Sequence, residues 1–274
     1  MGVKDLYTNS RYQYLYPEAA YGGWHQFAPY NELVKEYFCT DGKDIKTSEV
    51  YDENDPYANR DLRLYAPVFL PPLGSYPGTK YNDITYDCFK GANTSDYYNK
   101  FALFNGYCPK KGCDPSIINN LGATPTYTPI MRYAEVLLSY LEALNEAQPS
   151  AVDQDILDLT INDIRDRVKL TKLEKANMSQ ELIREAVRKE RRVELAFEGL
   201  RYYDVLRWGI AEKELNHTFT GVKLSDDPKA RNYRGSGTAA SPVDEDMYYQ
   251  FEKRTWSPHN RYFPIPQNEL NVSK

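Results

Sequence analysis

The spacing of apolar residues along the chain predicts long helices in its second half and none of comparable length in the first. From Ile130 to Ala147, apolar residues recur every three or four positions, which is the pattern of an amphipathic helix. Thr128 can cap this helix, and Pro129 occupies a first-turn position where a missing N–H costs nothing. Its expected apolar face consists of Tyr133, Val136, Leu137, Tyr140, Leu141 and Leu144.

Three further helices follow at short intervals. The second runs from Asp155 to Leu170, and the third begins after Ser179 and ends at Phe197, where Gly199 offers a left-handed C-terminal cap. The fourth covers Tyr202 to Ile210. Helices joined by such short connections favour antiparallel αα-hairpins of a tetratricopeptide-like kind, although no clear repeat is visible. The expected apolar face of the second helix consists of Ile156, Leu159, Ile164 and Val168.

Residues 1–128 are rich in Tyr, Asn, Asp, Gly and Pro and show little periodicity. The prolines between Pro56 and Pro77 exclude a long helix there. One short helix is expected from Asn31 to Phe38, with Asn31 as its N-cap. The rest is expected to form long loops with a few short strands, and loops of that length carry function or are not ordered. The expected apolar side of the short helix consists of Leu33, Val34, Tyr37 and Phe38.

After the fourth helix, residues 217–256 return to a loop pattern, and the prolines within residues 261–266 hold the tail extended. The predicted organisation is therefore a loop-rich aromatic region at 1–128, a block of helical hairpins at 129–216, and a loop and extended tail at 217–274 that packs on the helices. The fold class is mainly α, with large irregular insertions and few short strands.

Composition narrows the range of functions. The 274 residues carry a net charge of −5, which argues against a dedicated nucleic-acid binder. At 41% apolar and 27% charged residues, the chain is neither wholly disordered nor a bundle of membrane spans, and it has no apolar run of about 18 residues. The 25 Tyr, 10 Phe and 3 Trp residues indicate rings presented at a surface. The opening residues contain no apolar stretch typical of a signal peptide.

Several segments in this order resemble the SusD/RagB family of nutrient-uptake outer-membrane lipoproteins from Bacteroidota. The most specific are residues 190–199 followed by 201–204, then 207–209 and 263–270. Weaker segments lie at residues 31–34, 40–45, 55–57, 60–64, 132–138 and 142–146. Leu62 is one departure, because the family usually has proline at that turn.

The resemblance runs from about residue 31 to the end and corresponds to the C-terminal half of a full-length member. The other half would carry the export signal, the lipidated cysteine and the first tetratricopeptide-like helices. Membership implies glycan capture at the cell surface, delivery to a TonB-dependent transporter of the SusC type, and an outer-membrane location through a lipid anchor. It implies neither catalysis nor a cofactor.

Glycan recognition needs aromatic rings against the apolar face of a sugar and polar side chains around its edge. Two ring clusters in the loop-rich region provide such a combination. The first surrounds Trp24 and Tyr21, our leading contacts, and Gly22 and Gly23 would let the backbone turn to present Trp24. The alternative is that these rings hold a long loop against the helical core. The candidate ligand-binding residues are Trp24, Tyr21, Tyr16, Tyr14, Tyr76 and Tyr81.

The charged stretch from Arg184 to Glu198 has two interpretations, a partner surface or an ion network that locks two hairpins together. We favour the network, because Arg191 and Glu194 lie beside apolar positions and are expected to be buried and paired. Arg207 and Trp208 are expected to form a packing and cation–π element rather than a sugar platform.

No catalytic or metal-binding pattern is evident. The chain has no nucleophile elbow and no phosphate-binding glycine loop, and its three histidines lack metal spacing. Cys108 and Cys113 lie close enough for a small disulfide loop if the protein is exported, and free thiols are the alternative. The main rival to glycan binding is a protein–protein adaptor. A glycan binder should expose rings on loops, whereas an adaptor should expose an apolar groove on its helices.

Overall fold

A computed structural model of the chain describes residues 27–70, 80–81, 84–85, 105–111, 130–224, 242–262 and 265–272. Within them the fold is mostly helical with few short strands, which confirms the predicted class. The helices are α1 (Asn31–Glu36), α2 (Leu62–Tyr65), α3 (Tyr133–Ala147), α4 (Gln154–Leu159), α5 (Ile161–Arg167), α6 (Gln180–Glu194), α7 (Arg201–Arg207), α8 (Ala211–Leu215) and α9 (Gln267–Val272). Single 3₁₀ turns cover Pro149–Ala151, Lys175–Asn177 and Pro258–Arg261.

Three small antiparallel sheets lie between the helices. The pairs are β1 (Val68–Phe69) with β4 (Cys108–Pro109), β2 (Lys80–Tyr81) with β3 (Ile84–Thr85), and β5 (Thr218–Lys223) with β6 (Tyr248–Lys253). The last pair runs from Thr218 opposite Lys253 to Lys223 opposite Tyr248, with two register irregularities. Our prediction of loop throughout 217–256 was therefore wrong. Neither strand shows a regular alternation of buried and exposed residues, so the sequence lacked the usual strand signal.

The long helices α3 and α6 pack against each other. The side chain of Ser179 caps α6 by accepting a hydrogen bond from the Leu182 N–H, as its position predicts. The helix ends at Glu194, three residues before the predicted end, and Phe197 and Gly199 follow with positive φ angles of 65° and 80°. Thr128 and Pro129, the predicted start of α3, lie outside the described residues.

The predicted second helix is two helices, α4 and α5, with a break at Thr160. The Thr160 hydroxyl donates to the Ile156 carbonyl at 2.5 Å, and its backbone has φ −115° and ψ −96°, which interrupts the helix. The break changes the buried face, because Leu157 and Ile161 are fully buried whereas the predicted core residue Leu159 is 60% exposed.

Nine buried aliphatic residues form the helical cluster, the core between α3, α4, α5 and α6. Only part of the face predicted for α3 belongs to it. Tyr133, Val136 and Tyr140 are 69%, 44% and 47% exposed, so this half of the predicted face was wrong. The helical cluster consists of Leu137, Leu138, Leu141, Val152, Leu157, Ile161, Ile164, Ile183 and Val187.

A second core, the mixed cluster, joins residues that are far apart in the sequence. It contains both the first part of the chain and strands β5 and β6. The helix α1 ends at Glu36, two residues before the predicted end, so Tyr37 and Phe38 follow it. The burial predicted for its apolar side is still confirmed, since Val34, Tyr37 and Phe38 are buried in this cluster and Leu33 packs against it. The members include Val34, Tyr37, Phe38, Tyr57, Leu64, Tyr65, Val68, Phe69, Tyr107, Leu170, Val193, Val222, Leu224 and Tyr249.

Asn31 does not cap α1. It is the first helical residue, the N-cap is Tyr30, and no side chain caps the helix. The buried Asn31 amide instead donates to the Thr220 hydroxyl at 3.2 Å and accepts from the Tyr107 hydroxyl at 3.0 Å. Asn31 therefore ties α1 to β5. The same strand needs glycine at position 221, because a Cβ there would lie 2.2 Å from the Asn105 carbonyl oxygen.

Buried charges connect α6 to the first part of the chain, as the network interpretation predicts. Glu190 is fully buried and accepts hydrogen bonds from Arg63 and, at 3.2 Å, from Arg165. Arg63 also pairs with Asp61 at 2.7 Å and with Glu194 at 3.1 Å. Arg191 pairs with Asp204 rather than with Glu194. These partners lie on different elements, so the stretch from Arg184 to Glu198 locks elements together.

Arg60 stabilises the turn before α2 in a different way. Its side chain is 2% exposed and donates to the carbonyl oxygens of Pro56, Val34 and Tyr37, each at 2.8 Å. A buried guanidinium that satisfies three backbone acceptors holds α1 against the loop that precedes α2.

Candidate functional site

The described residues do not test the predicted ring clusters. Trp24, Tyr21, Tyr16, Tyr14 and Tyr76 lie outside them. Tyr81 belongs to β2, where it pairs with Ile84, and only its backbone is described. The assignment of these six residues to a ligand-binding surface therefore stays a prediction. Cys113 also lies outside the described residues, so the disulfide loop stays a prediction as well.

A cavity of about 410 Å³ lies beside α1, and we refer to it as the α1 cavity. Its walls come from α1, the turn after α6, helices α7 and α8, strand β5 and Arg254. Ligand sites typically have volumes of about 300–1,000 Å³ and combine apolar walls with a few placed polar groups. Most of the surface is apolar, and its aliphatic part comes from Leu33, Leu195, Ala196, Val205 and Leu215.

Among the described residues, four aromatic rings border the α1 cavity. Tyr30 and Phe219 contact each other with ring centroids 4.5 Å apart and planes tilted by 37°. The Arg254 guanidinium lies 5.0 Å from the Tyr30 centroid and 5.3 Å from that of Phe219, within cation–π range. Tyr202 is 40% exposed and Phe197 is 41% exposed, so these two rings lie at the mouth.

The Tyr30 hydroxyl is held by charged neighbours. It donates to the Glu252 carboxylate and accepts from Arg254 at 2.6 Å. Burial, followed by the hydrogen bond to Glu252, raises the pKa of Tyr30 well above its ordinary value. Tyr30 therefore remains a neutral phenol whose ring is fixed in the cavity wall.

Glu32 supplies an unsatisfied polar atom in the same wall. Its Oε1 accepts hydrogen bonds from the Thr220 backbone N–H at 3.0 Å and from the Thr220 hydroxyl at 2.9 Å. Its Oε2 is buried and has no hydrogen-bond partner among the described residues. Buried polar atoms are usually hydrogen-bonded, and this oxygen is an exception that presents almost no accessible surface to the cavity.

Two further arginines line the cavity and share one carboxylate. Arg192 and Arg201 both donate to Glu214 Oε2, at 3.1 Å and 2.7 Å. Burial, together with the neighbouring charge of Arg192, lowers the pKa of Arg201. The polar part of the wall thus contains the guanidinium donors of Arg192, Arg201 and Arg254.

Sequence reasoning did not identify this site. Glu32 was noted only as part of a family segment, Leu33 as part of the apolar side of the short helix, and Phe219 lies in a region predicted as loop. The available signal was a carboxylate beside the apolar side of a short helix. What holds this carboxylate in the cavity wall is its hydrogen bond from Thr220, which lies 188 residues away in the sequence.

A second concave surface, of about 430 Å³, lies between the start of α3 and α5. Tyr133 borders it, together with the charged residues Arg132, Asp163, Asp166 and Arg167. From Tyr133 an apolar stripe continues along the outer side of α3 through Val136 and Tyr140, and Ile130 and Met131 precede it with 100% and 64% exposure. We call the exposed residues Ile130, Met131, Tyr133, Val136 and Tyr140 the α3 stripe.

Trp208 forms the packing element that the sequence predicts. The guanidinium groups of Arg207 and Arg188 lie 4.8 Å and 4.9 Å from its ring centroid, and its N–H donates to Glu142 at 2.7 Å. Arginines on its faces and a carboxylate at its N–H leave little room for a sugar. Within residues 27–70 and the other described ranges, no group of three or more His, Cys, Asp or Glu residues could hold a metal ion.

The described helices include none that is long and apolar enough to cross a bilayer. The SusD family model matches residues 3–274. The match therefore begins before residue 31, where the resembling segments of the sequence start. A SusD-like protein from Formosa agariphila is 39% identical in a 95-residue alignment that covers 32% of this chain and 18% of that protein.

Two solved structures from Bacteroides fragilis resemble the whole chain. A SusD-like carbohydrate binding protein is 32% identical with a TM-score of 0.74, and the match covers 92% of this chain and 48% of that one. A second SusD-like protein is 26% identical with a TM-score of 0.71, covering 99% and 52%. The chain therefore spans about half the length of these two proteins.

Proposed function

The chain belongs to the SusD family, and on that premise we propose that it binds oligosaccharides or polysaccharides for nutrient uptake. The observation that carries the proposal is the match to a solved carbohydrate binding protein with 32% identity and a TM-score of 0.74. At that identity over 92% of the chain, the likeness extends to the sequence as well as the fold.

The side-chain chemistry of the described residues supports this proposal. The α1 cavity presents aromatic rings and a few charged groups, the combination that binds the apolar face and the hydroxyl edge of a sugar. In the proposal, the loop-rich region adds Trp24, Tyr21, Tyr16, Tyr14, Tyr76 and Tyr81 as further stacking surfaces.

The wider role proposed for the protein is that of a non-catalytic receptor. It would lie at the outer-membrane surface through a lipid anchor and deliver glycan to a SusC-like TonB-dependent transporter. Capture and delivery need stacking and hydrogen bonding, and neither needs a reactive group. Incubation with the bound glycan followed by product analysis should therefore yield no cleavage products.

A glycan array followed by affinity electrophoresis tests glycan binding. We expect binding to at least one glycan class, and Trp24→Ala should weaken that binding without lowering the melting temperature. Tyr262→Ala is the matched control, because this ring is 74% exposed and lies outside the predicted set. Unchanged affinity of Trp24→Ala would remove Trp24 from the site, and an array without any binding would contradict the proposed function.

A second candidate function, a protein–protein adaptor, is favoured by the α3 stripe. Three of its five apolar residues, Tyr133, Val136 and Tyr140, lie on helix α3, which is where an adaptor should expose them. Both functions can coexist if the stripe contacts the transporter while the rings hold glycan. Co-purification with a co-expressed SusC-like transporter tests this, since a Tyr133→Ser/Tyr140→Ser variant should lose the transporter and keep glycan binding. Retention of the transporter by the variant would exclude the stripe as its contact.

A further inference from the structure

The interior of the α1 cavity is apolar. A sugar hydroxyl placed against aliphatic side chains would lose its hydrogen bonds to water without gaining new ones, which is unfavourable. The part of a glycan that enters the interior should therefore be an apolar substituent, with the sugar itself left at the mouth. The aliphatic wall is formed by Leu33, Leu195, Val205 and Leu215.

The size of the cavity indicates how large that substituent is. At about 410 Å³ the space is far larger than a methyl or acetyl group, which would leave most of the wall without contacts. An aromatic ring on a short linker fills more of it and finds the rings of Tyr30 and Phe219 in the wall besides the aliphatic side chains.

The polar groups of the wall favour a ligand acceptor over a ligand donor. Glu32 already accepts two hydrogen bonds from Thr220, and Glu214 accepts from two arginines. Arg201 donates only one of its five N–H groups to Glu214, and Arg254 Nη1 donates to none of the described residues. The Arg254 side chain is 45% exposed, so its Nη1 is available at the mouth.

The acceptor should also be neutral. Each of the three guanidiniums described in the wall already faces a carboxylate. Arg254 pairs with Glu252 at 2.9 Å, and Arg201 and Arg192 pair with Glu214 at 2.7 Å and 3.1 Å. A ligand carboxylate would bring a further negative charge to these ion pairs, whereas an ester carbonyl accepts a hydrogen bond without one.

We infer that the α1 cavity binds an aromatic acyl group that is esterified to a sugar, of the hydroxycinnamoyl kind. The aromatic ring occupies the apolar interior, and the ester carbonyl accepts a hydrogen bond from Arg254 Nη1. The sugar stays at the mouth, where Tyr202 and Phe197 are exposed. This inference rests on the proposed glycan binding and narrows the ligand to a class of substituted glycan.

Arabinose and its esters provide the test, because the ester group can be varied on one hydroxyl. Isothermal titration should show that feruloyl-arabinose binds at least about tenfold tighter than acetyl-arabinose or arabinose, the effect of burying one aromatic ring. Methyl ferulate should bind more tightly than free ferulate, which has the same ring and a negative charge. Saturation-transfer NMR should give its strongest signal at the aromatic protons of the feruloyl group.

Two variants locate the binding in the cavity. Leu215→Trp fills the interior and should abolish binding of feruloyl-arabinose. Arg254→Gln removes the proposed donor, so affinity should fall roughly tenfold. Arg261→Gln is the matched control, because this arginine is exposed and does not line the cavity, and it should bind like the wild type. Thermal unfolding of each variant shows whether it is folded.

Equal affinity for feruloyl-arabinose and arabinose would overturn the inference, and so would wild-type affinity in folded Leu215→Trp or Arg254→Gln. Tighter binding of free ferulate than of methyl ferulate would overturn it as well. If the array detects glycans while feruloyl-arabinose fails to bind, the inference falls and the proposed function stands. If neither the array nor feruloyl-arabinose shows binding, both fall.

Discussion

The helical cluster and the mixed cluster are two cores of the same chain, built from different kinds of side chain. The helical cluster contains nine buried aliphatic side chains, all from residues 137–187. The mixed cluster draws on residues from Val34 to Tyr249 and includes several tyrosines. Buried charges on Arg63, Glu190 and Glu194 lie at its junction with α6.

The helical cluster therefore acts as a scaffold, whereas the mixed cluster supports a surface that needs specific side-chain placement. Apolar packing is non-directional, so α3 to α6 can associate without a precise polar register. The first part of the chain has little regular secondary structure and satisfies its backbone through side chains such as Arg60 and Asn31. Directional bonds place α1, and with it Tyr30 and Glu32, against β5.

The largest effect is expected from removing the carboxylate that joins the two cores. Glu190→Gln leaves the buried guanidiniums of Arg63 and Arg165 undercompensated and should lower the free energy of unfolding by about 3–5 kcal/mol. Urea denaturation measures the loss. Glu185→Gln, exposed on the same helix, should change stability by less than about 0.5 kcal/mol. Similar effects of the two variants would mean that the network does not couple the cores.

A smaller effect, confined to one core, is expected from Leu141→Ala. This side chain is fully buried in the helical cluster, so its truncation should cost about 2–5 kcal/mol through lost burial and a residual cavity. None of the nine residues of the helical cluster is among the described residues that line the α1 cavity, so glycan affinity of the folded protein should not change. A loss of affinity at temperatures where the variant is folded would show that the two cores are not separable.

The smallest expected effect is on how stability depends on pH below pH 4.5, and it comes from the Glu142 carboxylate. Burial alone would raise the pKa of Glu142, but hydrogen bonds from Arg207 and Trp208 outweigh it and hold the pKa below its ordinary 4.5. Below pH 4.5 the unfolded chain therefore binds a proton that the folded chain does not, so stability falls as pH decreases. Urea denaturation between pH 7 and 3 should give a shallower decline for Glu142→Gln. An identical decline would exclude this carboxylate as a contributor.

The positions of the long helices could be predicted from the sequence because their period is visible locally. The start of α6 after Ser179 and the burial of Arg191 and Glu194 follow from residue type and spacing. The break at Thr160 could not be predicted, since it depends on a hydroxyl that bonds back to the preceding turn. The exposed half of α3 was assigned to the core because periodicity marks an apolar face without showing what covers it.

The candidate site was far less predictable than the helices. Glu32 lines the cavity and is held by hydrogen bonds from Thr220, although 188 residues separate the two, and no local pattern predicts their contact. Asn31 illustrates the same limit. Its residue type and position suit an N-cap, but bonds to Thr220 and Tyr107 outweigh that local preference.

Hydrogen exchange with and without a saturating concentration of the tightest glycan on the array tests the central claim most directly. The claim is that helices α3, α4 and α5 are a scaffold and that glycan binds at the α1 cavity beside the mixed cluster. We expect added protection at amides of residues 27–36 and 218–223, and no change in α3, α4 and α5. Protection confined to α3 would contradict this account, because glycan would then bind to the surface that we assign to scaffold or partner contact.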